Sequence, residues 1–260
     1  MDLYAFPPIA AVIDGAYTLL MGLAGLLEPL LGGAAAAASV VLVTLLVRAA
    51  LVPVGVLLAK GEQTRARIAP KLQELQRKHA NNPERLQREF RALYAEEGTS
   101  PFAGCLPMLV QAPVVGIIYA LFILPVVNGH PNLLLDQTLL GVPLGHSLVG
   151  TIGAGVPQPL DLLVFAGLVV AIAAVGFLTL RAARPGGPLA VPRPAATSSP
   201  APAVPGAPAM PDLSKALLPL HFLTAGIAMF VPLAAGLYLL TTVAWTLAQR
   251  LVLRRRYPIG

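Results

Sequence analysis

Charge is what this sequence has least of. Only 12% of its 260 residues are Asp, Glu, Lys or Arg, against 56% hydrophobic, and the mean hydropathy is +0.75. A soluble domain carries about 25% charged residues. So little charge cannot cover a water-facing surface, so lipid must be the solvent for much of this one. Cysteine is nearly absent. With Cys105 alone an intrachain disulfide is excluded, and the redox compartment goes unreported. The start, Met1 to Pro8, lacks a basic region, and no small-residue cleavage site follows a short apolar core, so no secretory leader is expected. There is no internal repeat. His79, His130, His146 and His221 lack metal-ligand spacing, and no metal or cofactor is expected.

The charge that is present is concentrated. Of the 18 Lys and Arg, nine lie between Lys60 and Arg91. Arg181, Arg184, Arg193 and Lys215 form a second group; Arg250, Arg254, Arg255 and Arg256 close the chain. Arg48 stands alone in an apolar run. Residues 1–35 and 126–160 contain none. Basic segments read as cytoplasmic and the two empty ones as external.

A bilayer core of roughly 30 Å needs about 20 apolar residues in a helix. Residues 36–58, 100–126 and 160–181 supply three such spans. The apolar run from Ala216 to Leu253 would reach roughly 57 Å as one helix, and basic residues flank both its ends. It therefore divides near Pro232 and Gly236 into spans 214–231 and 232–253. The expected fold is all-α: five transmembrane helices, N-terminus outside and C-terminus in the cytoplasm. Residues 1–35 read as an external amphipathic helix lying on the surface; a sixth span over 3–31 is the alternative. Residues 127–159 form an external loop with apolar patches resting on the membrane. Residues 182–213, with nine prolines, read as a disordered cytoplasmic linker, and 254–260 as a basic cytoplasmic tail.

Residues 59–99 are the strongly polar region with helical periodicity. Ile68, Leu72 and Leu75, then Leu86, Phe90 and Leu93, recur at spacings of four and three, giving narrow apolar stripes on two charged helices. Between them Asn82-Pro83-Glu84 has the chemistry of a helix start, and Gly98 that of a stop. The segment reads as an antiparallel cytoplasmic hairpin. Either its charge merely fixes topology, or Lys71, Arg77, Lys78, Arg85 and Arg88, with Arg254, Arg255 and Arg256, dock a ribosome or targeting factor. No DNA partner is expected.

Arg48 is the most informative residue. It lies twelve residues from Lys60, roughly 18 Å deeper along a helix, near mid-bilayer. An arginine there costs about 2.5–3.5 kcal/mol on insertion scales. No span carries a central Asp or Glu to neutralise it; Asp161 sits at an external edge. Thr44 is one turn away, and Gln111 and Trp245 fall at comparable depth. A polar cavity open to cytosolic water would satisfy all of them. The plainer reading is that Arg48 donates to backbone carbonyls freed by Pro53, Pro107 or Pro113 and only glues helices.

These residues resemble the YidC/Oxa1/Alb3 membrane insertases. Thr44-Leu45-Leu46-Val47-Arg48 through Pro53 looks like that family's first core span, with its intramembrane arginine shortly before a proline. Ser100-Pro101-Phe102-Ala103-Gly104-Cys105-Leu106-Pro107-Met108-Leu109-Val110-Gln111-Ala112-Pro113 resembles the N-P-x-x-G-C-x-P-x-x-x-Q-x-P signature, with Ser100 in place of Asn. Phe230-Val231-Pro232 through Gly236-Leu237-Tyr238 resembles the turn before the last span. The likeness covers residues 36–125 and, less closely, 214–253. Departures are Leu233-Ala234-Ala235 where a serine-glycine pair is common, the long linker, and the lack of a large external domain.

The resemblance implies five core spans around a hydrophilic groove, sealed outside. Arg48, Thr44 and Gln111 match groove positions, and Trp245 and Tyr238 match more loosely. It implies an insertase of the bacterial plasma membrane rather than an enzyme. Its partners would be nascent membrane proteins, the ribosome, the lipid bilayer, and the Sec translocon and SRP receptor. The rival class is a transporter or channel for a small anion, which calls for inverted repeats and broken helices.

Overall fold

The computed structural model describes residues 7–80, 82–98, 116–118, 120–127, 129–155, 157–184, 186–190 and 220–258. Gln111, Cys105, most of the expected second span and most of the proline-rich linker lie outside the described residues.

Helix α1 (Pro7–Leu31) is followed by a 3-10 turn, Gly32–Ala34, and by α2 (Ala35–Ala50). Gly32 takes φ +51°, which glycine adopts without a Cβ penalty. The chain doubles back there, and α1 runs along α2. Ile13, Leu20 and Ala24 are the buried residues of α1, spaced seven and four apart on one face. The buried residues of α2 are Ala35, Ala36, Ala37, Ser39, Val40 and Thr44, mostly small side chains that let helices approach. Ser39 and Thr44 donate to carbonyls of their own helix, Ala36 O at 2.8 Å and Val40 O at 2.7 Å. Both readings of residues 1–35 require a helix; neither specified this packing along α2.

The α2 helix ends at Ala50, and α3 (Val52–Lys78) resumes after Leu51. The interruption has a local cause. Pro53 has no N–H for the carbonyl four residues back, and its ring crowds that carbonyl. Leu51 N–H still reaches Val47 O at 3.0 Å and Gly55 N–H reaches Leu51 O at 3.1 Å, so the helix is interrupted without parting. A helix end near residue 58 is not observed. The α3 helix runs unbroken from its apolar half into its charged half, 27 residues or about 40 Å.

Helix α4 (Pro83–Glu96) returns along α3. Asn82 Oδ1 accepts from Arg85 N at 3.0 Å, Pro83 occupies the first turn, and Glu84 sits by the positive end of the dipole. Gly98 follows the helix at φ +60°. Ile68 and Leu93 are buried in the seam, with Leu72, Leu75, Leu86 and Phe90 half-buried. Glu97 pairs with Arg67 and with Lys71, the latter at 2.7 Å, tying α3 to the end of α4.

Residues 126–127 and 129–155 form a cap whose buried side chains join the core of the helices. Strand β1 (Val126–Val127) pairs antiparallel with β2 (His130–Pro131), and β3 (Thr138–Leu139) with β4 (Val142–Pro143); α5 (Leu148–Gly153) follows. Leu134, Val142 and Leu144 are fully buried. These side chains turn inward onto the core that the helices share. Leu133, Leu140, Val149 and Ile152 stay exposed. Asn132 pins the cap to the helical stretch 120–123: its Nδ2 donates to Leu121 O at 2.8 Å and Leu124 O at 3.0 Å, carbonyls that a helix end leaves open.

Helix α6 (Pro159–Ala183) starts with Asp161 Oδ2 accepting from Gln158 N at 3.1 Å. Helix α7 (Leu220–Ile227) turns through Pro232 into α8 (Leu233–Arg256), which packs against both α2 and α6. No side chain caps α8. Backbone carbonyls of the cap do so instead: Leu233 N donates to His146 O at 2.8 Å and Ala234 N to Leu144 O at 3.0 Å. Gly236 lets α8 lie close to α6: a Cβ there would lie 2.5 Å from Leu168 Cδ2, and that side chain would have to shift. Among the described residues, three helical stretches are long and apolar enough to cross a bilayer: Pro7–Ala50, which contains the reversal, Pro159–Ala183 and Leu233–Arg256.

Candidate functional site

Arg48 sits in the last turn of α2, just before the Leu51 interruption. It borders a cavity of about 260 Å³. One wall is Val12, Ala16 and Leu20 of α1; another is Val43, Thr44, Val47 and Leu51; Ile117, Ile118, Leu121 and Phe122 face them, and Tyr238 of α8 completes the ring. The structure therefore brings together Arg48, Thr44 and Tyr238. Arg48 is half-buried, and it makes no ion pair or hydrogen bond among the described residues. The reading in which proline-freed carbonyls hold the guanidinium finds no such contact there; Pro107 and Pro113 lie outside the described residues.

The described walls are apolar apart from Thr44, Arg48 and Tyr238. These residues form an apolar cavity with one cation at its edge; Gln111, also expected to line a hydrophilic groove, lies outside the described residues. The Thr44 hydroxyl spends its proton on Val40 O, and the Tyr238 ring lies 6.3 Å from the Phe122 ring. A half-buried guanidinium with no acceptor among the described residues keeps its donors free for a carboxylate or another acceptor.

Trp245 is not in this cavity. Tyr238, Thr242, Trp245 and Gln249 recur at spacings of four, three and four, so they share one face of α8. Trp245 Nε1 donates to Gln249 Oε1 at 3.0 Å, and the Gln249 amide rests against Gly55 of α3. Thr242 Oγ1 is buried with no partner. Sequence reasoning missed Thr242, Gln249 and Gly55, although the spacing from Tyr238 and Trp245 marks the first two. It also missed the α1 wall, for which Val12, Ala16 and Leu20 carry no chemical signal.

Of the basic residues expected to dock a partner, Arg77, Lys78, Arg85, Arg88, Arg255 and Arg256 are exposed. Lys71 and Arg254 are engaged within the chain. Lys71 holds Glu97, and Arg254 lies 3.9 Å from Glu62 of α3. Gln63 Nε2 donates to Pro258 O at 2.7 Å, and Lys60 Nζ stands 5.9 Å from the Tyr257 ring centre. The end of the chain is thus clasped to the middle of α3. The Glu97 hydrogen bond and charge raise the Lys71 pKa above its ordinary value; the Lys71 hydrogen bond holds Glu97 below the ordinary carboxylate range.

A family profile described as 60Kd inner membrane protein matches residues 27–259. A membrane protein insertase YidC of Clostridium perfringens is 39% identical over 90 residues, which is 35% of this chain and 38% of that protein. One from Oceanobacillus iheyensis is 39% identical over 97 residues, again 35% and 38%. One from Aquifex aeolicus is 36% identical over 88 residues, 34% of this chain and 18% of its own length. In each case the similarity spans well under half of the relative.

Proposed function

Because the chain belongs to the 60Kd inner membrane protein family, we propose that it is a membrane protein insertase, with Arg48 as the group that receives a client. Such a client has an apolar helix and a polar, often acidic, tail that must cross. Polar groups in hydrocarbon cost several kcal/mol each. A cation partway across lowers that cost for a carboxylate, more strongly than in water because the surroundings are less polarisable. The client helix then moves into lipid along the apolar faces beside the cavity, and burial of its side chains drives the step.

The observation that carries this reading is Arg48, unpartnered among the described residues, beside an apolar cavity built from four parts of the chain. In its full form the reading has five spans, N-terminus outside and C-terminus inside, in a bacterial plasma membrane. The exposed arginines of the α3–α4 hairpin and the tail recruit ribosomes or targeting factors such as the SRP receptor, with the Sec translocon as a neighbour. The test is complementation of a depleted strain with Arg48→Lys, Arg48→Ala and Arg48→Glu, following two clients that differ only in an acidic or uncharged tail. Arg48→Glu should cut insertion of the acidic-tail client at least tenfold and spare the other. Full activity of Arg48→Glu on the acidic client would refute charge attraction. Anion flux through purified protein in vesicles, lost with Arg48→Ala, would favour a transporter.

A further inference from the structure

We propose that α1 is a built-in stand-in for the client. It occupies the face of α2 beside Arg48 on which an incoming helix docks, and the client displaces it. This rests on the insertase reading and adds where the client binds and what holds the place before it arrives.

Position comes first. Val12, Ala16 and Leu20, four residues apart on α1, form one wall of the Arg48 cavity. Composition comes second. The helix is 25 residues long, contains Asp14 and Glu28, and has no basic residue. An apolar helix with a carboxylate is also what Arg48 is suited to receive.

Among the described residues α1 makes the most extensive helix–helix contact, along α2, and what makes it exchangeable is the character of that contact. A Cβ added at Gly15, Gly22 or Gly25 would meet nothing within 4 Å. These glycines do not serve close packing, unlike Gly55 against Gln249 or Gly236 against Leu168. Leu19, Leu26 and Leu30 are exposed, so one narrow face makes the contact. In lipid, apolar faces gain nothing from leaving solvent, because the lipid tails are as apolar as they are. An apolar client can therefore replace α1 on α2 at little net cost.

What tips the exchange is charge. Asp14 is directed at the cap, with Oδ1 3.5 Å from His130 Nε2, and Tyr17 OH accepts from Leu133 N at 3.2 Å. Asp14 makes no ion pair with Arg48. The Tyr17 hydrogen bond ties α1 to the cap, Asp14 Oδ1 is buried without a hydrogen-bond partner, and Arg48 is left unneutralised among the described residues. A client with an acid near Arg48 gains an interaction that α1 lacks, and this differential affinity is what a displacement requires.

The test uses the full chain with Cys105→Ala, Ala16→Cys and Val43→Cys, in vesicles of phosphatidylethanolamine and phosphatidylglycerol. The two new thiols are bridged by a cleavable bis-maleimide. The probe client is a single Leu/Ala helix with an Asp-Asp tail. Adding it before the cross-linker should lower the bridging yield at least threefold. The bridged protein should insert it at least tenfold more slowly, with recovery on cleavage. A yield indifferent to the client, or bridged protein as active as cleaved protein, overturns the proposal. If bridged and cleaved proteins both fail to insert the client, the insertase reading falls, and the yield, which needs no turnover, still decides displacement. Val12→Cys with Val47→Cys repeats the test should the first pair not fold.

Discussion

Gly55 is where α3 and α8 touch side chain to backbone. A Cβ at this position falls on the Gln249 amide, the group that accepts from Trp245 Nε1 at 3.0 Å. Gly55→Ala must therefore drive Gln249 to another rotamer and release the indole. Two energies oppose each other. Alanine favours a helix over glycine by about 0.8–1.0 kcal/mol. A donor left buried without a partner costs about 1–3 kcal/mol. The net is a loss of about 0–2 kcal/mol, too close to zero for unfolding alone to be decisive. Fluorescence is decisive, because Trp245 is the sole tryptophan. Gly55→Ala should shift its emission and change its quenching by acrylamide, and Gln249→Leu should do the same. In the double variant the two shifts should not add, since both act through one hydrogen bond. Unchanged emission in Gly55→Ala, or additive shifts in the double variant, would refute this account of the contact.

Three further outcomes follow from the packing. Asn132→Ala strips the donor from Leu121 O and Leu124 O and should lower stability by about 1–3 kcal/mol; a thermal midpoint unmoved in detergent would count against the pin. Gly236→Val crowds Leu168 and should cost about 1–3 kcal/mol by overpacking, with partial rescue by Leu168→Ala; no rescue would place the strain elsewhere. Glu97 has a lowered pKa, so its contribution to the hairpin is present above the ordinary carboxyl value and is lost as pH falls through the lowered one. Lys71 has a raised pKa, so its contribution is present below its ordinary value and is lost as pH rises through the raised one. Protease cleavage near residues 79–82 should therefore be flat across neutral pH and rise in acid, and Glu97→Gln should remove the acid transition.

Features set by neighbouring residues were legible in the sequence. Asn82-Pro83-Glu84 marks a helix start, and Pro232 a turn, because capping and ring geometry act within one turn of chain. The isolation of Arg48 was legible too, since the absence of nearby acids can be read by position. Contacts between distant segments were not. Asn132 reaches back eleven residues to Leu121 O, and nothing around it distinguishes it from a turn asparagine. The partners of Gly55 and Gly236 are on other helices, so either glycine could have been a mere weak spot. The packing of α1 along α2 was beyond reach for another reason: its contact face is apolar, and apolar side chains carry no mark of which helix they meet. Equal depth alone did not place Trp245, whose indole donates to Gln249 on its own helix and does not line the cavity beside Arg48.

The two ends of the bundle are held by different forces, and the difference bears on access to Arg48. At the cap end the ties are backbone hydrogen bonds: Leu233 N and Ala234 N to loop carbonyls, and Val149 N to Met229 O. An opened N–H would sit in apolar surroundings at a cost of several kcal/mol, so this end should stay shut through any working cycle. At the other end the ties are side chains: Arg254 near Glu62, Gln63 on Pro258, Gln249 against Gly55. Exposed ion pairs contribute about 0–1 kcal/mol each and exchange readily with water. Movement of α8 relative to α3 is therefore far cheaper than undocking α8 from the cap. Arg48 lies between the two, on the helix that precedes the Leu51 interruption. A chain that approaches it from the loosely tied end meets the low barrier; a chain from the capped end must break backbone hydrogen bonds first. The ties alone make the end held by side chains the cheaper one to open.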